Sequence, residues 1–222
     1  MTTFYSEELE CYVCGKTSTQ TSVGSTNAFG SPDLDGRPPE MQRSTMGAWV
    51  QRCPSCGYCS ADISEGKPGT RELIESDSYK NQLGDPGYPK LANMFLCFSI
   101  LEEGAGNIVS VVQLQINASW ACDDAGTGSS ARECRLKSAA SLEKVRDSGM
   151  KMHPEEPGVD EAILVDLLRR AGQHEKARSR CREALEQGYT DTVGGVLEFE
   201  NELISQQDVA PHTIAEALEK GV

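Results

Sequence analysis

The sequence predicts a mixed architecture: a small cysteine-stapled ribbon of short strands and turns, then an all-α domain of antiparallel helical hairpins. Three observations predict it. Five of the nine cysteines fall within the first 59 residues at CxxC spacing. Residues 1–66 are turn-rich and show no helical periodicity, whereas apolar residues recur at intervals of three and four from Pro89 onward. Finally, the later segments are punctuated by single glycines, the usual stop signal of a helix.

The ribbon is defined by its knuckles. Cys11-Tyr12-Val13-Cys14-Gly15 and Cys53-Pro54-Ser55-Cys56-Gly57 each place a glycine directly after the second cysteine. A CxxC turn lets two thiolates converge on one ion while its backbone amides point at the sulfurs, and the glycine relieves the positive φ that the turn demands. Two such pairs make four soft ligands, Cys11, Cys14, Cys53 and Cys56, the donor set of a closed tetrahedral Zn2+ site. Four thiolates leave no open position for water, so the expected zinc is structural. A ribbon this small buries too little surface to fold alone, and metal binding contributes much of its folding free energy.

Cys59 extends the second pair to CxxCxxC, so Cys56/Cys59 competes as the second knuckle. An iron–sulfur cluster is a further rival, although ferredoxin-like runs carry another Cys and a Pro downstream where this chain has Ile63. A thiol–disulfide site is the third, but redox CxxC motifs sit at a helix start near a βαβ pattern, and none shows here. Gly57 follows Cys56 while Ser60 follows Cys59, which favours Cys53/Cys56.

Between the knuckles, residues 25–46 mix Asp33, Asp35, Glu40, Arg37 and Arg43 with three prolines and two glycines near the middle. The expectation is a long surface connection whose charges pair among themselves, in preference to a recognition loop. Gly66-Lys67-Pro68-Gly69 marks a boundary, giving a ribbon module over 1–66 and a helical domain over 67–222.

In the second part, Thr70 to Leu83 reads as a short helix. Pro89 opens the next, with Leu91, Met94, Phe95, Phe98 and Leu101 on one face. A second face runs through Ile108, Val111, Val112, Leu114, Ala118 and Cys122. Ser130 and Glu133 form a capping-box pattern for a third helix reaching about Gly149. His153 to Gly158 is a linker, and Asp160 is placed to cap a helix bearing Ile163, Leu164, Leu167 and Leu168. Gly172 separates it from another with Ala177, Cys181, Ala184 and Leu185, ended by Gly188; two more cover Asp191 to Ser205 and Pro211 to Lys220. Leu164-Val165-x2-Leu168, Gly172, Ala177-x3-Cys181 and Ala184 match the spacing of a tetratricopeptide unit, with Val165 in place of its small Gly and Glu161 in place of its Trp. An ordinary helical bundle is the competing description.

Composition bounds function. The net charge is −13, and residues 1–66 alone carry four basic against eight acidic side chains. Phosphate backbones require the opposite field, so nucleic acid is disfavoured. No basic-then-apolar leader opens the chain and no stretch nears the roughly 20 apolar residues of a membrane span, so a soluble, cytoplasmic protein with reduced thiols is expected. The three histidines stand singly, Trp49 and Trp120 read as core anchors, and no phosphate loop, nucleophile elbow or HExxH motif occurs.

With these motifs in hand, the chain resembles an uncharacterised bacterial family, the DUF2225-like proteins, which pair a CPxCG-type ribbon with tetratricopeptide-like helices. The likeness rests on Cys11, Cys14, Gly15, the run Trp49 to Tyr58, and the helices after Pro89; Tyr12 stands where the family-like knuckle usually has Pro. The resemblance implies a bacterial cytoplasmic protein and no established activity. The residues themselves favour a non-enzymatic zinc-binding adaptor that holds a protein or peptide partner, basic or neutral in charge, along its helices. The competing class is a redox- or metal-responsive protein, or an enzyme, acting through Cys53, Cys56 and Cys59.

Overall fold

The computed structural model describes residues 1–189 and 191–220. Three two-stranded antiparallel sheets occupy the N-terminal part: β1 (Thr3–Glu10) with β2 (Thr17–Ser25), β3 (Ala28–Phe29) with β4 (Glu40–Met41), and β5 (Gln51–Arg52) with β6 (Cys59–Ser60). A short 3-10 turn spans Arg43–Ala48. Each cysteine knuckle is the tip of a hairpin. Residues 11–16 join β1 to β2 where Glu10 pairs with Thr17, and residues 53–58 join β5 to β6 where Arg52 pairs with Cys59.

Nine helices follow among the described residues: α1 (Thr70–Glu75), α2 (Asp77–Leu83), α3 (Lys90–Gly104), α4 (Ile108–Asp124), α5 (Gly128–Asp147), α6 (Val159–Arg170), α7 (His174–Glu186), α8 (Asp191–Ser205) and α9 (Ile214–Lys220). The predicted helix from Thr70 to Leu83 is broken in two, because Ser76 adopts an extended conformation (φ −65°, ψ 151°) and its hydroxyl caps α2 by accepting from the Tyr79 amide. From α3 onward each helix packs chiefly on its neighbours in sequence, as short connections dictate.

The helix ends share one device. At Gly106, Gly126, Gly149 and Gly172 the glycine sits at positive φ (69–77°), and the next amide reaches back five residues, as in Asn107 to Glu102, Thr127 to Cys122, Met150 to Val145 and Gln173 to Leu168. These are Schellman closures, which satisfy the last carbonyls; at Gly106, Gly126 and Gly172 they turn the chain directly into the next helix, whereas a nine-residue linker follows Gly149. Gln207 makes the same closure after α8 without a glycine.

Two N-terminal caps expected from sequence are not made. Ser130 lies inside α5, and its hydroxyl instead donates to the Gly87 carbonyl at 2.6 Å, tying α5 to the loop before α3. Asp160 lies in the first turn of α6, and its carboxylate accepts the Met152 and His153 amides of the preceding linker. In both cases a tertiary partner takes the group that local spacing assigned to the helix.

One contiguous apolar core runs from Val13 and Tyr58 through Phe95, Trp120, Leu142 and Leu164 to Leu197. It crosses residue 66 at several points: the Tyr79 hydroxyl of α2 donates to the Gly57 carbonyl at 3.0 Å and accepts the Cys59 amide at 3.0 Å. No described helix is long and apolar enough to cross a membrane.

Candidate metal centre

The two knuckles are built alike. In the first, the Cys11 amide donates to the Lys16 carbonyl (3.1 Å) and the Gly15 amide to the Cys11 carbonyl (2.8 Å). In the second, Cys53 donates to Tyr58 (2.8 Å) and Gly57 to Cys53 (2.9 Å). Gly15 and Gly57 both take positive φ, 68° and 80°, as the turn requires. A further bond, from the Tyr12 amide to the Ile63 carbonyl at 2.8 Å, docks the first knuckle beside the second hairpin.

That docking brings four sulfurs together. Sγ of Cys11, Cys14, Cys53 and Cys56 all lie within 4.8 Å of one another, with Cys11–Cys56 and Cys14–Cys53 each at 3.6 Å. A tetrahedral ion with bonds of about 2.3 Å separates its sulfurs by about 3.8 Å, so the group has the size of one ion's coordination shell. A disulfide's S–S bond is about 2.0 Å, and all nine cysteines are free.

The backbone supports thiolates here. Amides of Cys14 and Val13 point at the Cys11 sulfur, those of Cys56 and Ser55 at Cys53, and that of Tyr58 at Cys56. Burial pushes Cys11 and Cys56 up from the ordinary thiol range. Burial also works upward on Cys53, but the Cys56 and Ser55 amides and the neighbouring Cys56 and Cys14 thiols outweigh it, bringing Cys53 to about 7.

Cys59 stands apart from this group. It is fully buried, and its thiol donates to the Gly57 carbonyl at 3.3 Å on the side of the hairpin that meets α2. Gly57 itself is held from two directions: a Cβ on it would come within 2.5 Å of Leu83 Cδ2. The glycine that closes the second knuckle is thus also where that knuckle rests on the helices.

The loop between the knuckles departs from expectation. Its charges do not pair only among themselves. Arg43 does bind Asp33 (2.6 Å), but Arg37 forks onto Asp124 at the end of α4 (2.7 Å to both oxygens). Asp35, wholly buried, accepts from Trp120 Nε1 of α4 (2.8 Å) and Arg170 Nη1 of α6 (2.5 Å). Asp123 receives Arg170 as well (2.9 Å) and also Arg135 of α5. Trp120 is the core anchor expected of it, whereas Trp49 is half-buried, with its Nε1 on Thr45 Oγ1 (2.8 Å).

Sequence reasoning missed Arg135 and Arg170 because charged residues in amphipathic helices ordinarily mark the solvated face. The sequence masks Arg170 further, because Asp166, Arg169 and Arg170 stand at i, i+3 and i+4, the spacing of a charge-paired surface face, although α6 is buried there. Arg169 is fully buried between Asp166 (2.5 Å) and Glu200 of α8 (2.7 Å) and also donates to the carbonyls of Asp208 and Ala210. Burial, reinforced by the Asp166 charge, pushes the Glu200 carboxyl well above the ordinary range. None of the three histidines approaches the cysteine cluster: His153 pairs with Asp160 (2.7 Å) and His212 with Asp208 (3.2 Å).

Comparison with protein families, with curated proteins and with solved structures finds no match for this chain.

Proposed function

We propose that the protein is a non-enzymatic adaptor whose N-terminal part is a zinc ribbon and whose helices form a tetratricopeptide-like surface for a protein or peptide partner. The observation that carries the zinc is the closed group of four thiols at ion-sized separation, supported by amides directed at the sulfurs. Cys11, Cys14, Cys53 and Cys56 would hold the ion and fill its coordination sphere, which suits a staple and leaves no place for a substrate. Soft thiolates in a tetrahedral arrangement favour zinc over the oxygen-seeking cations.

The helical reading is supported by the recurring hairpin closure. Ala105-Gly106-Asn107, Ala125-Gly126-Thr127 and Ala171-Gly172-Gln173 each end one helix and start the next within the same three residues. Serial hairpins of this kind commonly present an extended surface to partners, and a chain of net charge −13 favours basic or neutral ones. The redox alternative through Cys53, Cys56 and Cys59 has less support, since Cys59 is sealed from solvent and engaged with a carbonyl.

Elemental analysis of protein purified without added metal tests the staple. Near-stoichiometric zinc is expected, released together with four titratable thiols on chelation. Iron with visible charge-transfer absorption would overturn it.

A further inference from the structure

The buried ion pairs that dock the inter-knuckle loop also wall a cavity. It lies where that loop meets the α4–α5 turn and the segment after α8, open to solvent on one side, with a volume of about 410 Å³. Arg37, Arg43, Arg135 and Arg170 line it against only Asp33 and Asp123. Four guanidinium groups converge in this way within a chain of net charge −13. Polar cavities of a few hundred Å³ are the size of small-molecule sites.

The arginines are not exhausted by their partners. Arg135 is 4% exposed and bonds only Asp123, and its Nε has no acceptor; Arg170 Nε is likewise unpartnered and buried. A buried guanidinium N–H without an acceptor carries a free-energy cost, and guanidinium groups at a cavity wall are strong, charge-assisted donors to an anion.

A second feature points the same way. Helix α5, 20 residues long, begins at Gly128 on the cavity wall. Its N-cap residue, Thr127, makes no side-chain cap and instead donates to the Cys122 carbonyl (3.1 Å), and the first turn carries no acidic residue. The amides of Gly128, Ser129 and Ser130 therefore have no acceptor among the described residues. Unsatisfied amides at the positive end of a long helix form an anion-binding terminus. Gly128 has no side chain over them, and a Cβ there would meet nothing within 4 Å.

We propose that this cavity binds a phosphoryl group, either inorganic phosphate or the phosphate end of a small phosphomonoester, between the four arginines and the N-terminus of α5. A phosphoryl dianion offers three oxygens to a surplus of convergent donors, more than a carboxylate does. The volume exceeds that of the anion alone, and Val209 and Pro211 supply an apolar wall for an organic body. Asp35 and Asp124, behind the wall, neutralise Arg170 and Arg37 and fix their orientation. Recognition therefore works through directed N–H donors rather than a net positive field. Arg169 holds the carbonyls of Asp208 and Ala210 beside that wall, so the site is preformed. The loop contributes Arg37 and Arg43 and the helices Arg135 and Arg170, so the ligand would clamp the ribbon's loop onto the helices.

Titration of the zinc-loaded full chain with inorganic phosphate and with phenyl phosphate, at fixed ionic strength set with chloride, tests the proposal by calorimetry and thermal shift. Saturable one-to-one binding of phosphate is expected. Tighter binding of phenyl phosphate assigns a phosphomonoester, and equal affinity assigns the free anion. Gly128→Glu places a carboxylate of the chain's own at the helix terminus without a steric clash, so the variant should fold with an unchanged or higher midpoint and bind phosphate at least about tenfold more weakly. Arg43→Gln, on the partly exposed edge of the cavity, should weaken binding as well and serves if the first variant fails to fold. No saturable binding of either probe up to about 10 mM, or full affinity in both variants, would overturn the proposal.

Discussion

The two knuckle glycines are equivalent by sequence but not by structure, and this difference sets a quantitative test. Gly15→Ala and Gly57→Ala both force a Cβ into the left-handed region, φ 68° and 80°, at a cost of about 1–2 kcal/mol each. At Gly15 the new methyl meets nothing closer than Glu10 Oε1 at 3.7 Å, an ordinary contact, so the conformational term is the whole effect. At Gly57 it would come within 2.5 Å of Leu83 Cδ2, so the half-buried Leu83 side chain at the end of α2 must leave its rotamer or the hairpin must shift. Overpacking of this kind adds about 1–3 kcal/mol. The expected losses are therefore about 1–2 kcal/mol for Gly15→Ala and about 2–5 kcal/mol for Gly57→Ala. For a domain of this length each kcal/mol lowers the thermal midpoint by about 2–4 °C. Melting both variants at saturating zinc measures the difference, and a double-mutant cycle with Leu83→Ala isolates its cause. The cycle should show favourable coupling, with Gly57→Ala less damaging in the Leu83→Ala background than in the wild type. Equal losses at the two glycines, or zero coupling, would refute the claim that the second knuckle is pressed onto the helices at Gly57.

Cys56→Ser should lose the metal, while Cys59→Ser should keep it at a modest cost in stability, as read by zinc content and melting. Ala177, fully buried in α7, has no room for growth, so Ala177→Phe should cost about 1–3 kcal/mol by thermal unfolding; an unchanged midpoint would mean that the α6–α7 register is wrong. Arg169→Met should cost about 3–5 kcal/mol by denaturant titration, because it leaves Asp166 and Glu200 buried together without their cation. Glu200, whose carboxyl is raised in the folded state, makes a contribution that is complete below the ordinary carboxylate range and is lost as pH rises toward its elevated pKa. Glu200→Gln should therefore flatten the decline of stability above about pH 4.5, and an unaltered slope would show that Glu200 is not its source.

The sequence was most legible where a motif is local. The CxxCG spacing singled out Cys11, Cys14, Cys53 and Cys56 against Cys59, and the structure groups those four sulfurs and turns Cys59 toward α2. The helices from α3 onward were visible from periodicity and glycine punctuation. The β1–β2 hairpin was not, because strands such as Thr3–Glu10 are largely exposed and polar on both faces, which leaves no alternation to read. Ser130 and Asp160 misled for a related reason: each has the right local spacing for a cap but a better partner elsewhere in the chain. The arginine-lined cavity draws on residues from 33 to 211, a constellation that no local window contains.

The latch between the inter-knuckle loop and the helices also imposes an order in time. All four knuckle cysteines precede residue 57, whereas Asp35 waits 85 residues for Trp120 and 135 for Arg170. At a synthesis rate of about 5–20 residues per second, Arg170 is made roughly 7–27 s after Asp35. Once Cys56 has been made, all four thiols are present while the loop between them still lacks its partners on α4 and α6. If the four cysteines hold an ion, as proposed, the nascent chain presents the complete ligand set before α6 arrives to anchor the loop between them.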